Sequence, residues 1–147
     1  MTEPSIRHEK MSDIFHKYHI ENFGVDAVLH EFLEAEPEDA LAHDHPFDFT
    51  SFVIEGWYVE MIWERNPFGF WYHRHAARRK RDTIDVDAET VHQITAVSPG
   101  GCKTLILPGP VTRKSGFWKF TPTENKDLYT GEFRAWDQEE FVNVTSR

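Results

Sequence analysis

His43 and His45 stand two apart in a short extended stretch, 40–45, that Pro46 ends. Side chains two apart on a strand point to the same face, so both imidazoles can reach one ion. Two histidines alone bind a metal weakly, and a third ligand has to come from another strand. His92 opens a later strand, 91–97, directly after the polar turn 85–90. Where these strands lie side by side, three neutral imidazoles converge. That donor set suits Fe(II), Zn(II), Ni(II), Cu(II) or Mn(II), and spacing alone does not choose among them. Three protein ligands leave positions open for water, dioxygen or a bidentate substrate.

The remaining reactive residue types offer weaker sites. His73-x-His75 has the same spacing but lies in a basic strand, 72–81, with no carboxylate or turn that completes a ligand set. It reads as a solvated or interface strand. His8, His16, His19 and His30 read as surface or packing residues. Cys102, the single cysteine, follows Gly100-Gly101 and precedes an apolar run, so it reads as a structural thiol with no activating base nearby. One cysteine forms no intrachain disulfide and suits a reducing, cytoplasmic compartment.

Charge narrows the partners. A net charge of -9 repels phosphate backbones and anionic lipid at long range. The cluster Arg74, Arg78, Arg79, Lys80 and Arg81 is a local exception, and it reads as a solvated strand end and turn. No apolar run approaches membrane-spanning length, and the opening MTEPSIRHEK has no apolar signal region. Neither nucleic acid nor a membrane is an expected partner.

These residues need a scaffold to position them. A chain of 147 residues fits one compact domain. Its 12 Phe, 5 Trp and 4 Tyr favour pleated surfaces. Met11, Ile14, Phe15 and Tyr18 are spaced three and four apart, which predicts a short amphipathic helix within 5–23, ended by Gly24. This divides the chain into an N-terminal helical segment, 1–24, and a barrel domain, 25–147. From Val25 onward short apolar runs alternate with turn signals. Strands are predicted at 28–35, 40–45, 49–54, 58–64, 70–76, 83–86, 91–97, 103–107, 117–120 and 129–136. Asn66-Pro67-Phe68-Gly69 and Ser98-Pro99-Gly100-Gly101 mark turns, and Glu55-Gly56 reads as a tight hairpin. Many short strands with almost no helix predict an all-β antiparallel sandwich or barrel.

The run His43-Asp44-His45-Pro46, followed by Phe49, Ser51 and Ile54-Glu55-Gly56-Trp57-Tyr58-Val59-Glu60, resembles the first motif of the cupin superfamily. The run Asp87-Ala88-Glu89-Thr90-Val91-His92 resembles the second, and Gly109-Pro110, Arg113 and Gly116-Phe117 resemble the tail of small single-domain cupins of bacteria and phages. The resemblance spans about 28–117. It implies a double-stranded β-helix, or jelly-roll barrel, holding one divalent transition metal (Fe, Zn, Ni or Mn) on His43, His45 and His92. It also implies a homodimer, since cupins commonly pair through their sheets. The chain departs from the pattern where Phe49 takes the usual carboxylate position. A three-histidine set resembles the thiol-dioxygenase-like cupins more than the type with an added glutamate. Asp48 is a possible fourth ligand, although on a regular strand it faces away from the pair.

Tyr58 and Glu60 share a face on the strand after Gly56 and are the catalytic candidates, Glu60 as base or as partner to a histidine. Arg113 is the candidate anion-binding group, and Phe49 a candidate wall of an apolar substrate pocket with Phe47, Trp57, Trp63 and Trp71. Three functions follow as expectations. One is a non-haem metal oxygenase, or a related lyase or isomerase, acting on a small polar molecule. Another is a barrel that binds or senses a small ligand without turnover. The third is an assembly role through a homodimer face.

Overall fold

The computed structural model describes residues 3–144, and every regular element among them is a β-strand. In chain order these are β1 (Ser5–Lys10), β2 (Phe15–Glu21), β3 (Ala27–Phe32), β4 (Ala42–His43), β5 (Phe49–Glu55), β6 (Trp57–Arg65), β7 (Trp71–Arg79), β8 (Thr83–Val86), β9 (Val91–Val97), β10 (Cys102–Pro108), β11 (Gly116–Pro122), β12 (Tyr129–Ala135) and β13 (Val142–Asn143). Every strand predicted from residue 28 onward is present, β8 and β9 at the predicted bounds. Among the described residues no helix is long and apolar enough to cross a membrane.

The strands form two sheets, one ordered β1-β2-β3-β10-β5-β8 and the other β11-β4-β9-β6-β7-β12-β13. The second closes on itself. β11 pairs with β12 from Gly116↔Ala135 to Pro122↔Tyr129, and Tyr129↔Trp71 joins β12 to β7. Closure leaves fewer unpaired backbone groups at sheet edges.

The N-terminal helix predicted within 5–23 does not form. β1 and β2 make an antiparallel hairpin, Ser5↔Glu21 to Lys10↔His16, and β2 continues the first sheet by pairing with β3 from Phe15↔Phe32 to Ile20↔Ala27. The free edge of β3 supplies backbone partners that an isolated short helix would have to provide for itself. The ring of Phe15 stacks on Phe32 at 4.7 Å. Tertiary pairing thus overrides the three-and-four spacing. Gly24, at φ +85°, lies in the turn between β2 and β3.

Gly56 differs from expectation as well. β5 belongs to the first sheet and β6 to the second, so the glycine is a corner between sheets and not a hairpin. Its φ is +75°, and a Cβ there would lie 2.5 Å from both the Gly101 carbonyl oxygen and Ser98 Oγ. Only glycine fits that corner without strain. Ser98 Oγ accepts the Trp57 amide at 3.0 Å and fixes the start of β6.

Two apolar cores result. Val53, Tyr58, Ile94 and the fully buried Cys102 pack between the sheets, with Phe32, Ile84 and Val97 against them. Ala42, Trp63, Trp71, Val91 and Trp118 fill the closed barrel, with Phe120, Tyr129 and Phe133 against them. Gly131 permits that filling, because a Cβ there would stand 2.7 Å from Trp71 Nε1.

Candidate metal centre

β4 is two residues long, yet it is held on both sides. His43 pairs with His92 of β9, and Ala42 and His43 pair with Trp118 and Phe117 of β11. Alternation then sends Asp44 away from its two histidine neighbours. Asp44 is buried, accepting the Gly116 amide at 2.7 Å and Trp118 Nε1 at 3.1 Å, and pairing with Arg113 at 2.8 Å. The His45 amide donates to the Ala88 carbonyl at 2.9 Å. Asp48 Oδ1 accepts the Ala88 amide at 2.7 Å. The histidine pair is thus fixed by its own intervening residues.

The ligand atoms of His43, His45 and His92 lie within 4.8 Å of one another. His92 Nδ1 meets Glu60 Oε1 at 3.0 Å, so the ring donates there and turns the lone pair of Nε2 inward. His45 Nε2 lies 3.1 Å from His92 Nε2. His45 Nδ1 is buried without a hydrogen-bond partner among the described residues, so no neighbour fixes the tautomer of this ring. A proton on His45 Nε2 or a cation between the two nitrogens satisfies this close approach. Imidazole nitrogens bind such ions at about 2.0–2.1 Å, so two ligands at right-angled to tetrahedral positions stand about 3.0–3.4 Å apart. The observed separation fits that spacing.

Burial keeps the donors neutral. It pushes His43 down to about 3 and His45 down to about 2, with the other imidazoles adding to the effect. Burial raises Glu60, but its bonds to His92 and to Arg78, 3.1 Å away, outweigh this and hold the carboxyl below its ordinary value. Glu60 is therefore an anion that orients His92 and is balanced by Arg78.

A cavity of about 890 Å³ opens onto the cluster and runs beneath β2 and β3. Phe49 and Tyr58 line it with the histidines. The Phe49 ring lies 5.0 Å from that of His45. Burial raises the Tyr58 hydroxyl, with the Glu60 charge adding to the shift. Arg113 does not line this cavity. Besides pairing with Asp44, it donates to the His45 carbonyl at 3.1 Å and supports the ligand loop from behind. Asp48 is likewise engaged with backbone and stands outside the cluster. His73 packs on Trp63 in the closed barrel, ring centroids 4.8 Å apart, on the far side of β6 from Glu60.

Sequence reasoning missed four residues of the site. Glu36, read as a turn residue, lines the cavity 4.0 Å from His43 Nδ1 and accepts the Ile94 amide. Lys17 and His30 line it from strands that pair opposite each other. Arg78, read as solvated, pairs with Glu60. Only Arg78 left a signal. Counting outward from the turn at Asn66 pairs it with Tyr58.

An all-β barrel that gathers three imidazoles under a cavity is a cupin-like architecture, and solved structures support the fold. Hydroxypropylphosphonic acid epoxidase from S. wedmorenis matches with TM-score 0.55 and 18% identity over 74% of this chain and 58% of that one. A structure described as FeII HppE matches with TM-score 0.50 and 16% identity over 73% and 57%. Drosophila melanogaster CENP-C bound to CAL1 matches with TM-score 0.52 and 11% identity over 71% and 81%. The chain spans a little over half the length of the first two. No protein-family model and no curated protein sequence matches it. Likeness at such identities speaks for the fold alone.

Proposed function

We propose that this protein is a metal-dependent cupin-like enzyme of the non-haem oxygenase type, acting on a small polar molecule. It holds one divalent transition metal on His43, His45 and His92. The observation that carries this reading is the convergence of the three histidine ligand atoms within 4.8 Å of one another, with His92 Nδ1 committed to Glu60 so that its Nε2 faces the cluster. When bound, such an ion supplies Lewis-acid or redox chemistry at the positions the three imidazoles leave open. The chain's own residues do the rest. Glu60 keeps His92 in the ligating tautomer, Arg78 holds Glu60 ionised, and Tyr58 presents a hydroxyl that stays protonated beside them. Phe49 closes the apolar wall next to His45.

Fe(II) is the first metal to test, because the HppE structure that shares this fold holds it. Elemental analysis of the parent beside a His43→Ala/His45→Ala variant checks the site. Near-stoichiometric metal in the parent, lost in the variant, is expected. No uptake by either after incubation with Fe(II), Zn(II), Ni(II) and Mn(II) overturns the reading. Dioxygen consumption that does not depend on added Fe(II) counts against the oxygenase form.

A non-catalytic ligand-binding barrel is the second reading. It is favoured by the engagement of Glu60 with both Arg78 and His92, which commits that carboxylate to holding the site. A small molecule carried through purification without turnover would favour it. Either reading includes the homodimer expected of such barrels, which light scattering tests.

A further inference from the structure

The cavity carries one cation that the metal centre does not use. Lys17 lies on β2 opposite His30 of β3, which in turn lies opposite Thr104 of β10. All three line the cavity. Lys17 is half-buried and, among the described residues, makes no hydrogen bond or ion pair; the carboxylate opposite it on β1, Glu9, is exposed, feels its charge and is hydrogen-bonded to His19. Its ammonium stands 5.8 Å from the Phe15 ring. The other basic groups on this wall are occupied: Arg7 pairs with Glu21 at 2.7 Å and His19 with Glu9 at 2.9 Å. Of the carboxylates that line the cavity, Glu21, Asp26 and Glu34 are solvent-exposed, while Asp44 pairs with Arg113, Glu60 with Arg78, and the half-buried Glu36 accepts the Ile94 amide.

On the cavity wall an ammonium that makes no ion pair is available to a ligand anion. The ligand atoms of the cluster are those of neutral imidazoles, so a divalent ion there would remain a cationic centre, partly offset by Glu60 behind His92 and by Glu36 beside His43. Two positive centres therefore face one cavity whose walls between them include Phe15 and Phe32.

We infer that the ligand of this cavity is a small organic acid, recognised by Lys17 through its carboxylate and by Phe15 and Phe32 through its apolar body. The inference rests on the proposed metal site and names its substrate class. A single free lysine matches one negative charge, which favours a carboxylate over a dianionic phosphate or phosphonate.

The test uses full-length protein loaded with Co(II), whose visible absorption reports its coordination. The probes are 2-hydroxyhexanoate and its uncharged counterpart 1,2-hexanediol. The acid is expected to shift the Co(II) bands of the parent. Lys17→Met should bind the acid about tenfold more weakly or worse, with Co(II) uptake and diol binding unchanged. Lys17→Arg should recover most of the affinity. Equal affinity of parent and Lys17→Met for the acid, or no response of the parent to the acid, overturns the assignment while leaving the metal site standing. Absence of Co(II) bands in the parent overturns the metal site and this ligand with it.

Discussion

Along β6, Tyr58 and Glu60 face the cavity, whereas Met61 and Trp63 face the interior of the closed barrel. The two sides of this strand have opposite characters. On the barrel side Trp63 stacks on Phe120 at 3.8 Å, and Trp71 lies 4.8 Å from Trp118. That side is filled by aromatic rings, although Trp63 Nε1, Trp71 Nε1 and His73 Nδ1 find no hydrogen-bond partner among the described residues. On the cavity side buried imidazoles converge around open space, and the Lys17 ammonium makes no ion pair among the described residues. Unfilled volume and unpaired polar groups cost stability. The contrast teaches that the filled barrel supports an open site that does not stabilise itself. Asp44 joins them, because one carboxylate anchors Trp118 and fixes the histidine pair.

The strongest way to break this comparison is Trp118→Ala. Trp118 is 1% exposed, and truncation of such a side chain costs about 3–5 kcal/mol. For a chain of this size Tm should fall by roughly 10 °C or more. Thermal unfolding of metal-free protein checks it. A loss under about 1 kcal/mol would contradict the barrel's role as the main source of stability.

The next effect comes from the other side. Chelation should lower the Tm of the metal-loaded parent by an amount set by affinity, about 2.7 kcal/mol when free metal had stood near 100 times Kd. His43→Ala/His45→Ala should show no response to chelator. Its metal-free stability should stay within about 1 kcal/mol of the metal-free parent, because the rings border an open cavity and their removal leaves no buried polar atom unpaired. A variant much less stable than the metal-free parent would mean the histidines are structural.

Glu60→Gln sharpens the contrast within the cavity. Glutamine still accepts from His92 but loses the charge that opposes Arg78. Changes of this kind weaken metal affinity by about 10–100-fold. Competition against a chromophoric chelator measures it, and unchanged affinity would reduce Glu60 to a packing residue.

The two regions were unequally legible in the sequence. The histidine set could be read because its geometry is local. Period-two alternation puts His43 and His45 on one face, and turn residues bound β9 so that His92 opens it. Only the His43↔His92 pairing had to be supplied by the fold. Glu36, Lys17 and His30 could not be read, because pairings distant in sequence bring them to the cavity. The spacing around Phe15 also satisfied a helix as well as a strand, and the edge of β3 decided between them. Gly56 was recognised as special, but a positive φ serves a corner between sheets as readily as a hairpin. The aromatic residues suggested a core, while the β11–β12 pairing that wraps them around a second interior left no local mark.

The smallest expected effect concerns His30, which adds to the stability cost of the cavity without being a metal ligand. Burial pushes it down to about 3, and the charges of Lys17 and His19 add to the shift. The unfolded chain takes up a proton near the ordinary value of 6.5 that the folded protein refuses until about 3. The unfolded state therefore binds more protons throughout that window. The stability tied to a neutral His30 is fully present above about pH 6.5 and is lost as pH falls towards 3. Water in the cavity screens the effect, so about 1 kcal/mol is expected between pH 7 and pH 5. His43 and His45 shift in the same direction and add their own slopes in metal-free protein. The informative quantity is thus the difference between the metal-free parent and His30→Phe, whose ring can pack between Phe15 and Phe32. Denaturant unfolding at pH 7 and pH 5 should show a shallower pH dependence in the variant. An identical pH dependence would place His30 in water and shrink the buried part of the cavity to the metal cluster.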